Sequence, residues 1–208
     1  SLFICGGAAP ELVAVFRALT VPGSEILAIA PYFPEYKPFV ETTGSVFKVV
    51  PPDVPEFQVN LEEVEKQLNA NTVGIILNSP NNPTGCVLSE ESLSIVAELA
   101  QEHDFYILCD NVYAALSSEP VPDLTLRPEL RDRVILCQSF SKPWAMTGWR
   151  LGWLAAPEAL IDKFTLLQAA QIASVPTFLQ KAAETALNVD VADMACVYRR
   201  SEEHTSEL

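Results

Sequence analysis

Short apolar runs alternate with amphipathic stretches from one end of this 208-residue chain to the other, and nothing else limits its fold so tightly. Leu12 to Leu19 has helical spacing, with Leu12, Val15, Phe16 and Leu19 on one face, and Pro22-Gly23 breaks it. Glu25 to Ala30 reads as a strand, Tyr36 to Thr43 as a helix and Ser45 to Val50 as a strand. A proline cluster from Pro51 to Pro55 makes a loop. Asn60 then caps a helix to about residue 68, with Glu63 completing a capping box. Val73 to Leu77 is a strand, and Ser89 caps a helix to about residue 102 that turns Leu93, Val96, Ala97 and Ala100 inward. Phe105 to Cys109 and Val134 to Cys137 are further short strands, and Leu151 to Leu154 is another apolar run. Pro157 starts a helix to about residue 171, and Thr177 to Leu187 forms one more. Strands alternating with helices of this length predict βαβ units. The fold class is therefore α/β, three αβα layers around a mostly parallel sheet covered on both faces.

The bulk properties narrow the function classes. Hydrophobic residues make up 49% of the chain, so it is globular and long enough for one large domain. A net charge of −14 argues against nucleic acid as the main partner. No apolar run approaches membrane-spanning length. The five cysteines form no C-x-x-C pair. Cys5, Cys109 and Cys137 lie in or beside apolar runs and read as core thiols of a cytoplasmic protein.

Four polar segments fall beside predicted strand ends, where a parallel sheet would gather them along one edge. Cys5-Gly6-Gly7-Ala8-Ala9 precedes the first helix, and its small residues let backbone N–H groups approach an anion. Asn78-Ser79-Pro80-Asn81-Asn82-Pro83-Thr84-Gly85 is held by two prolines, which leaves the Asn82 amide free to donate. Asp110-Asn111-Val112-Tyr113 offers a carboxylate and, three residues on, a phenol. Ser139-Phe140-Ser141-Lys142 follows a strand, and Arg150 comes eight residues after the lysine. An amine able to form a Schiff base, hydroxyl donors and a guanidinium able to grip a phosphate suit a phosphorylated carbonyl ligand. Taken singly, each segment also has a plainer account: a loop, a proline-rich turn, an Asx-turn with a core tyrosine, a surface lysine after a strand.

In this order and spacing, SPNNPTG, DNVY and SFSKPWAMTGWRLG resemble the class I/II aminotransferases that use pyridoxal 5′-phosphate (PLP), with the aspartate aminotransferase fold, fold type I. The resemblance runs from Leu2 to Arg199 and implies that residues 1–199 are most of a PLP-binding large domain. It implies that Lys142 is the Schiff-base lysine, which becomes the proton carrier once substrate displaces it. Asp110 matches the aspartate that keeps the pyridine nitrogen protonated. Tyr113 and Asn82 match donors to the ring's phenolic oxygen. Arg150 and Ser139 match phosphate ligands, with the backbone of Gly7 and Ala8 completing the cup. Ser141 either adds a phosphate contact or packs. Phe33, in Pro31-Tyr32-Phe33-Pro34, matches the aromatic that stacks on the ring. Two departures stand out: no hydroxyl residue lies near Cys5 or Ala8, so the cup relies on backbone, and Asn111 replaces the commoner glutamate, with its side chain expected to point away from the ring.

The family implies amino acid and 2-oxo acid substrates and a homodimer that completes the active site. Members are longer than this chain, so an N-terminal arm and a C-terminal small domain are expected to be missing, including the arginine that binds the substrate α-carboxylate. The chain begins without a methionine, in keeping with a missing true start. Residues 200–208 are expected to be non-biological, because they are abruptly polar and match the translation of a sequencing-adapter read. Two other activities share the resemblance: a carbon–sulfur β-lyase of the same fold, and the aminotransferase-like sensor domain of a GntR-type transcription regulator.

Overall fold

The computed structural model describes residues 1–192. Seven strands form one sheet: β1 (Leu2–Cys5), β2 (Glu25–Ile29), β3 (Val46–Val50), β4 (Thr72–Asn78), β5 (Tyr106–Asp110), β6 (Val134–Ser139) and β7 (Gly152–Ala155). Six helices accompany them: α1 (Ala8–Leu19), α2 (Tyr36–Glu41), α3 (Leu61–Gln67), α4 (Glu90–His103), α5 (Glu158–Ile172) and α6 (Thr177–Ala186). The strand order is β1-β7-β6-β5-β4-β2-β3, and β7 runs antiparallel to both β1 and β6, whereas the other adjacent pairs are parallel. The predicted three-layer α/β architecture is therefore present, with one reversed strand inside it.

Alternation along each strand splits the core in two. Leu27, Ile29, Ile75, Leu77, Ile107 and Leu136 face α3 and α4, where Val64, Leu93, Val96 and Ala97 meet them. Ile26, Ala28, Ile76, Leu108, Ile135 and Leu154 face the other way, toward Leu12, Val15 and Phe16 of α1, Val40 of α2 and Phe164 of α5. A smaller cluster under α6 joins Phe140, Leu151, Val175 and Ala183.

Local chemistry sets most element boundaries. Ser89 accepts from the backbone N–H of Ser92 and starts α4, and Asp104 ends it in the left-handed conformation. Asn60 caps α3 by accepting from the N–H of Glu63. The other half of the expected box is replaced, because the Glu63 carboxylate pairs with Lys66 at 2.7 Å. Helix α2 stops at Glu41, two residues short of the predicted end, and the chain turns at Gly44 with φ of 79°. Cys5, Cys109 and Cys137 are buried free thiols, as the sequence implied, while Cys86 is half-buried. Cys196 and the proposed adapter-derived segment 200–208 lie outside the described residues.

The reversed strand completes one edge of the sheet. The carboxyl ends of β1, β2, β4, β5 and β6 lie along that edge. Because β7 runs the other way, its first residue, Gly152, also lies there, paired with both Cys5 and Ser139. Arg150, two residues earlier, is thereby delivered to the same edge as the strand-end motifs.

Candidate active site

A cavity of about 350 Å³ opens at that edge. Ala8, Phe33, Asn82, Asp110, Tyr113, Ser139, Ser141, Lys142 and Arg150 all line it. Nine of the ten residues singled out from sequence thus converge on one cavity, although they are spread over more than 140 positions of chain. The tenth, Gly7, sits one layer behind. Its φ is +104°, and a Cβ built on it would lie 2.6 Å from Nη2 of Arg150. The backbone angle favours glycine there, and a side chain would displace the end of Arg150.

The floor is made by neighbouring strand ends. Asn78 and Asp110 are register partners on β4 and β5. The Asn78 amide nitrogen donates to the Asp110 carbonyl at 2.8 Å, and its Oδ1 accepts from the N–H of Asn82 at 2.7 Å. One buried amide therefore locks the proline-rich loop to β5. Asn81 extends the brace by donating to the Pro31 carbonyl at 3.1 Å and accepting from Thr84. This ties the Asn82 loop to the segment carrying Phe33.

Asp110 is 5% exposed. Tyr36, at the start of α2, donates its hydroxyl to Oδ2 at 2.5 Å, and the Val112 N–H reaches Oδ1 at 3.4 Å. Burial pushes the Asp110 carboxyl above its ordinary range, and the bond from Tyr36 partly reverses that. Burial also pushes the Tyr36 hydroxyl well up, with Asp110 adding to the effect, so Tyr36 stays a donor. The Tyr113 hydroxyl is raised by burial and by Asp110, offset by the neighbouring Asn82 amide.

The opposite wall carries the cations. Lys142 follows β6, and its Nζ lies 5.6 Å from the centre of the Tyr113 ring, within cation–π range. Buried Ser139 accepts from the N–H of Ser141 at 3.0 Å and contacts the Leu151 carbonyl at 3.4 Å, which pins the turn before the lysine. Arg150 adopts φ of 51°, donates from Nη1 to the Thr147 carbonyl and lines the cavity, with Nη2 packed against Gly7. Between these walls stands the N-terminus of α1. Its capping residue, Gly7, contributes no side-chain bond, and Pro10 has no N–H. The amides of Ala8 and Ala9 are the donors left at that end, an arrangement that suits an anion.

Asn78 and Tyr36 of the cavity lining, and Glu11 beside it, are not singled out by the sequence. Asn78 has no assigned role within its loop, although a buried asparagine ending an apolar strand is a readable signal. Tyr36 looks like an ordinary start of a helix. Glu11 is 1% exposed in the first turn of α1, on the same buried face as Leu12 and Val15. Asn111 is buried outside the cavity lining, and its backbone N–H donates to the Cys137 carbonyl at 3.2 Å.

The profile of the family described as aminotransferase class I and II matches residues 1–206. The chain belongs to that family. It is 39% identical to aromatic-amino-acid aminotransferase 2 of Thermococcus litoralis over 78% of its own length and 43% of the relative's. It is 34% identical to aspartate aminotransferase of Thermotoga maritima over 94% of its length and 52% of the relative's. A crystal structure of aspartate aminotransferase from Thermotoga maritima superposes with a TM-score of 0.93 at 33% identity, covering 99% of this chain and 56% of that one. The chain thus spans about half the length of the relatives it matches.

Proposed function

We propose that the protein carrying this chain is a cytoplasmic, homodimeric PLP-dependent aminotransferase, moving an amino group between an amino acid and a 2-oxo acid. The observation that carries this is the convergence of Lys142, Asp110 and Arg150 on one cavity beside the free amides of α1. Family membership supports transfer chemistry. The relatives' names diverge between aromatic amino acids and aspartate, so the donor is left unassigned.

The residues present fit the cofactor. A carboxylate buried as deeply as Asp110 calls for a cationic partner, and a protonated ring nitrogen is one. The glycine cradle, where a side chain would strike Arg150, suits a phosphate held jointly by guanidinium and helix amides. When bound, the cofactor supplies an aldehyde for an amine to condense with and a ring that draws electrons from the substrate's α-carbon.

The chain's residues divide the remaining tasks. Asp110, oriented by Tyr36, keeps a proton on the ring nitrogen. Tyr113 and Asn82 donate to the phenolic oxygen. Arg150, Ser139 and Ser141, with the backbone of Gly7 and Ala8, hold the phosphate. Phe33 covers one face of the ring. Lys142 would be the amine that holds the aldehyde and, once freed, would be placed to hold or move a proton at the substrate's α-carbon.

The test is to supply the whole protein with an amino acid and a 2-oxo acid and quantify the products. The expected result is equal amounts of a new amino acid and a new oxo acid, lost in Lys142→Ala. Release of ammonia with cleavage of a carbon–sulfur bond would overturn transfer in favour of elimination.

A further inference from the structure

Glu11 has no place in the chemistry above, yet it is the most anomalous buried group near it. Its side chain is 1% exposed, and neither carboxyl oxygen has a hydrogen-bond partner of ordinary geometry among the described residues. It lies directly behind the anion cup. A Cβ added to Gly152 would meet Oε2 of Glu11 at 3.1 Å and the Cα of Gly7 at 3.1 Å, so carboxyl, strand start and cup glycine are packed together.

The elements packed on α1 bring it thiols, a phenol and a second acid. From β1 comes the Cys5 thiol, which points at the Gly7 carbonyl at 3.7 Å. From β6 comes the Cys137 thiol and from β5 the Asp110 carboxyl. Helix α2 offers the Tyr36 hydroxyl, already committed to Asp110. Helix α5 meets α1 through Leu160 and Phe164 and keeps Glu158, Asp162 and Lys163 in solvent. Of the two cations lining the cavity, Lys142 and Arg150, Arg150 stands against Gly7. Burial pushes the Glu11 carboxyl well above its ordinary value; Asp110 pushes the same way, and the weak Cys5 donor offsets only part of it.

We propose that Glu11 is a charge gate on the anion cup: as a neutral acid it leaves the cup open to a phosphate, and as an anion it opposes that phosphate from behind. The α1 N-terminus offers one region of positive potential, and two anions on opposite sides of it compete. Phosphate binding therefore holds a proton on Glu11, and loss of that proton weakens binding, by the reciprocity of linked equilibria. The role rests on the reading of the cup as a phosphate site. Glu11 acts as a positioning residue, without contact to the reacting atoms.

The experiment uses the whole protein, freed of cofactor, with inorganic phosphate as the probe, titrated calorimetrically from mildly acidic to alkaline pH. The comparison is wild type against Glu11→Gln, with Glu11→Ala as a second variant should glutamine not be accommodated. Phosphate's own ionisation cancels in the ratio of the two dissociation constants. That ratio is expected near one at acidic pH, with wild type weakening by about tenfold more than the variant at alkaline pH. Wild type should also take up protons on binding, as judged by buffers of different ionisation enthalpy, and the variant fewer. Parallel pH profiles with equal proton uptake would overturn the gate while leaving the phosphate site intact. Failure of both proteins to bind phosphate would overturn the site reading and the gate together.

Discussion

The site's residues are held by neighbours whose removal has calculable directions. Tyr36→Phe deletes the hydroxyl that donates to Asp110 and leaves a buried carboxylate with less to stabilise its charge. Charge-assisted bonds contribute about 1.5–3 kcal/mol. Cofactor affinity should fall by tenfold or more, measured by absorbance titration, with a loss of about 1–3 kcal/mol in the stability of the cofactor-free protein; unchanged affinity would separate Tyr36 from the site. Gly7→Ala places a methyl against the Arg150 guanidinium at a backbone angle that alanine adopts poorly. The strain is about 1–3 kcal/mol, and the guanidinium must shift. Phosphate affinity should drop more than thermal stability, which separates a site effect from general damage. At this scale the sequence is informative for groups carried by a motif and silent for groups defined by contact. Lys142, Asp110 and Arg150 stand in recognisable spacings. Tyr36 and Glu11 owe their roles to distant contacts, with Asp110 and Gly152 respectively.

Elements explain why the edge is pre-formed. Strand ends β4, β5 and β6 lie in register, and β7 enters from the opposite direction to bring in Arg150. The strand–helix alternation is readable, because periods of two and 3.6 write themselves into apolar spacing. The reversal of β7 is not, because Leu151 to Leu154 has the same pattern whichever way it runs. Helix α1 shows a second limit: its periodicity marks Leu12, Val15 and Phe16 as buried, and position 11 shares that face, but a glutamate there reads as solvent-exposed unless the burial is taken literally. Burial of that acid also affects stability. Glu11 and Asp110 both have folded values raised above their unfolded ones, so the folded state retains protons that the unfolded chain releases. Their contribution is full below the ordinary carboxylate range and is lost as pH rises toward the folded values. The cofactor-free protein should therefore lose stability from mildly acidic to neutral pH, and Glu11→Gln should flatten that slope in denaturant titrations. An unaltered slope would contradict the assignment. Thiol chemistry supplies an independent check on the core: Cys109, pushed up to about 12 by burial, and Cys5 and Cys137, also raised, should resist alkylation in the native protein, whereas half-buried Cys86 should react before them.

On the scale of the whole molecule, the chain carries a net charge of −14 yet concentrates Lys142, Arg150 and helix amides at one sheet edge, so its basic site is local within an acidic surface. Trp149, Ile172 and Phe178 are 46%, 49% and 70% exposed and line a separate surface cleft beside α6. An exposed apolar surface of this kind is what a covering domain or subunit would bury. Residues 1–199 by themselves should accordingly turn over poorly, and amino transfer by that segment at a rate matching the whole protein would refute the point. The proposed chemistry turns on one group above all: Lys142 is the amine that engages the cofactor. Borohydride reduction of the cofactor-loaded whole protein, followed by peptide mapping, tests it directly. A pyridoxyl group on Lys142, absent in Lys142→Ala, is the predicted result. Labelling of a different lysine, or of none, would contradict that role.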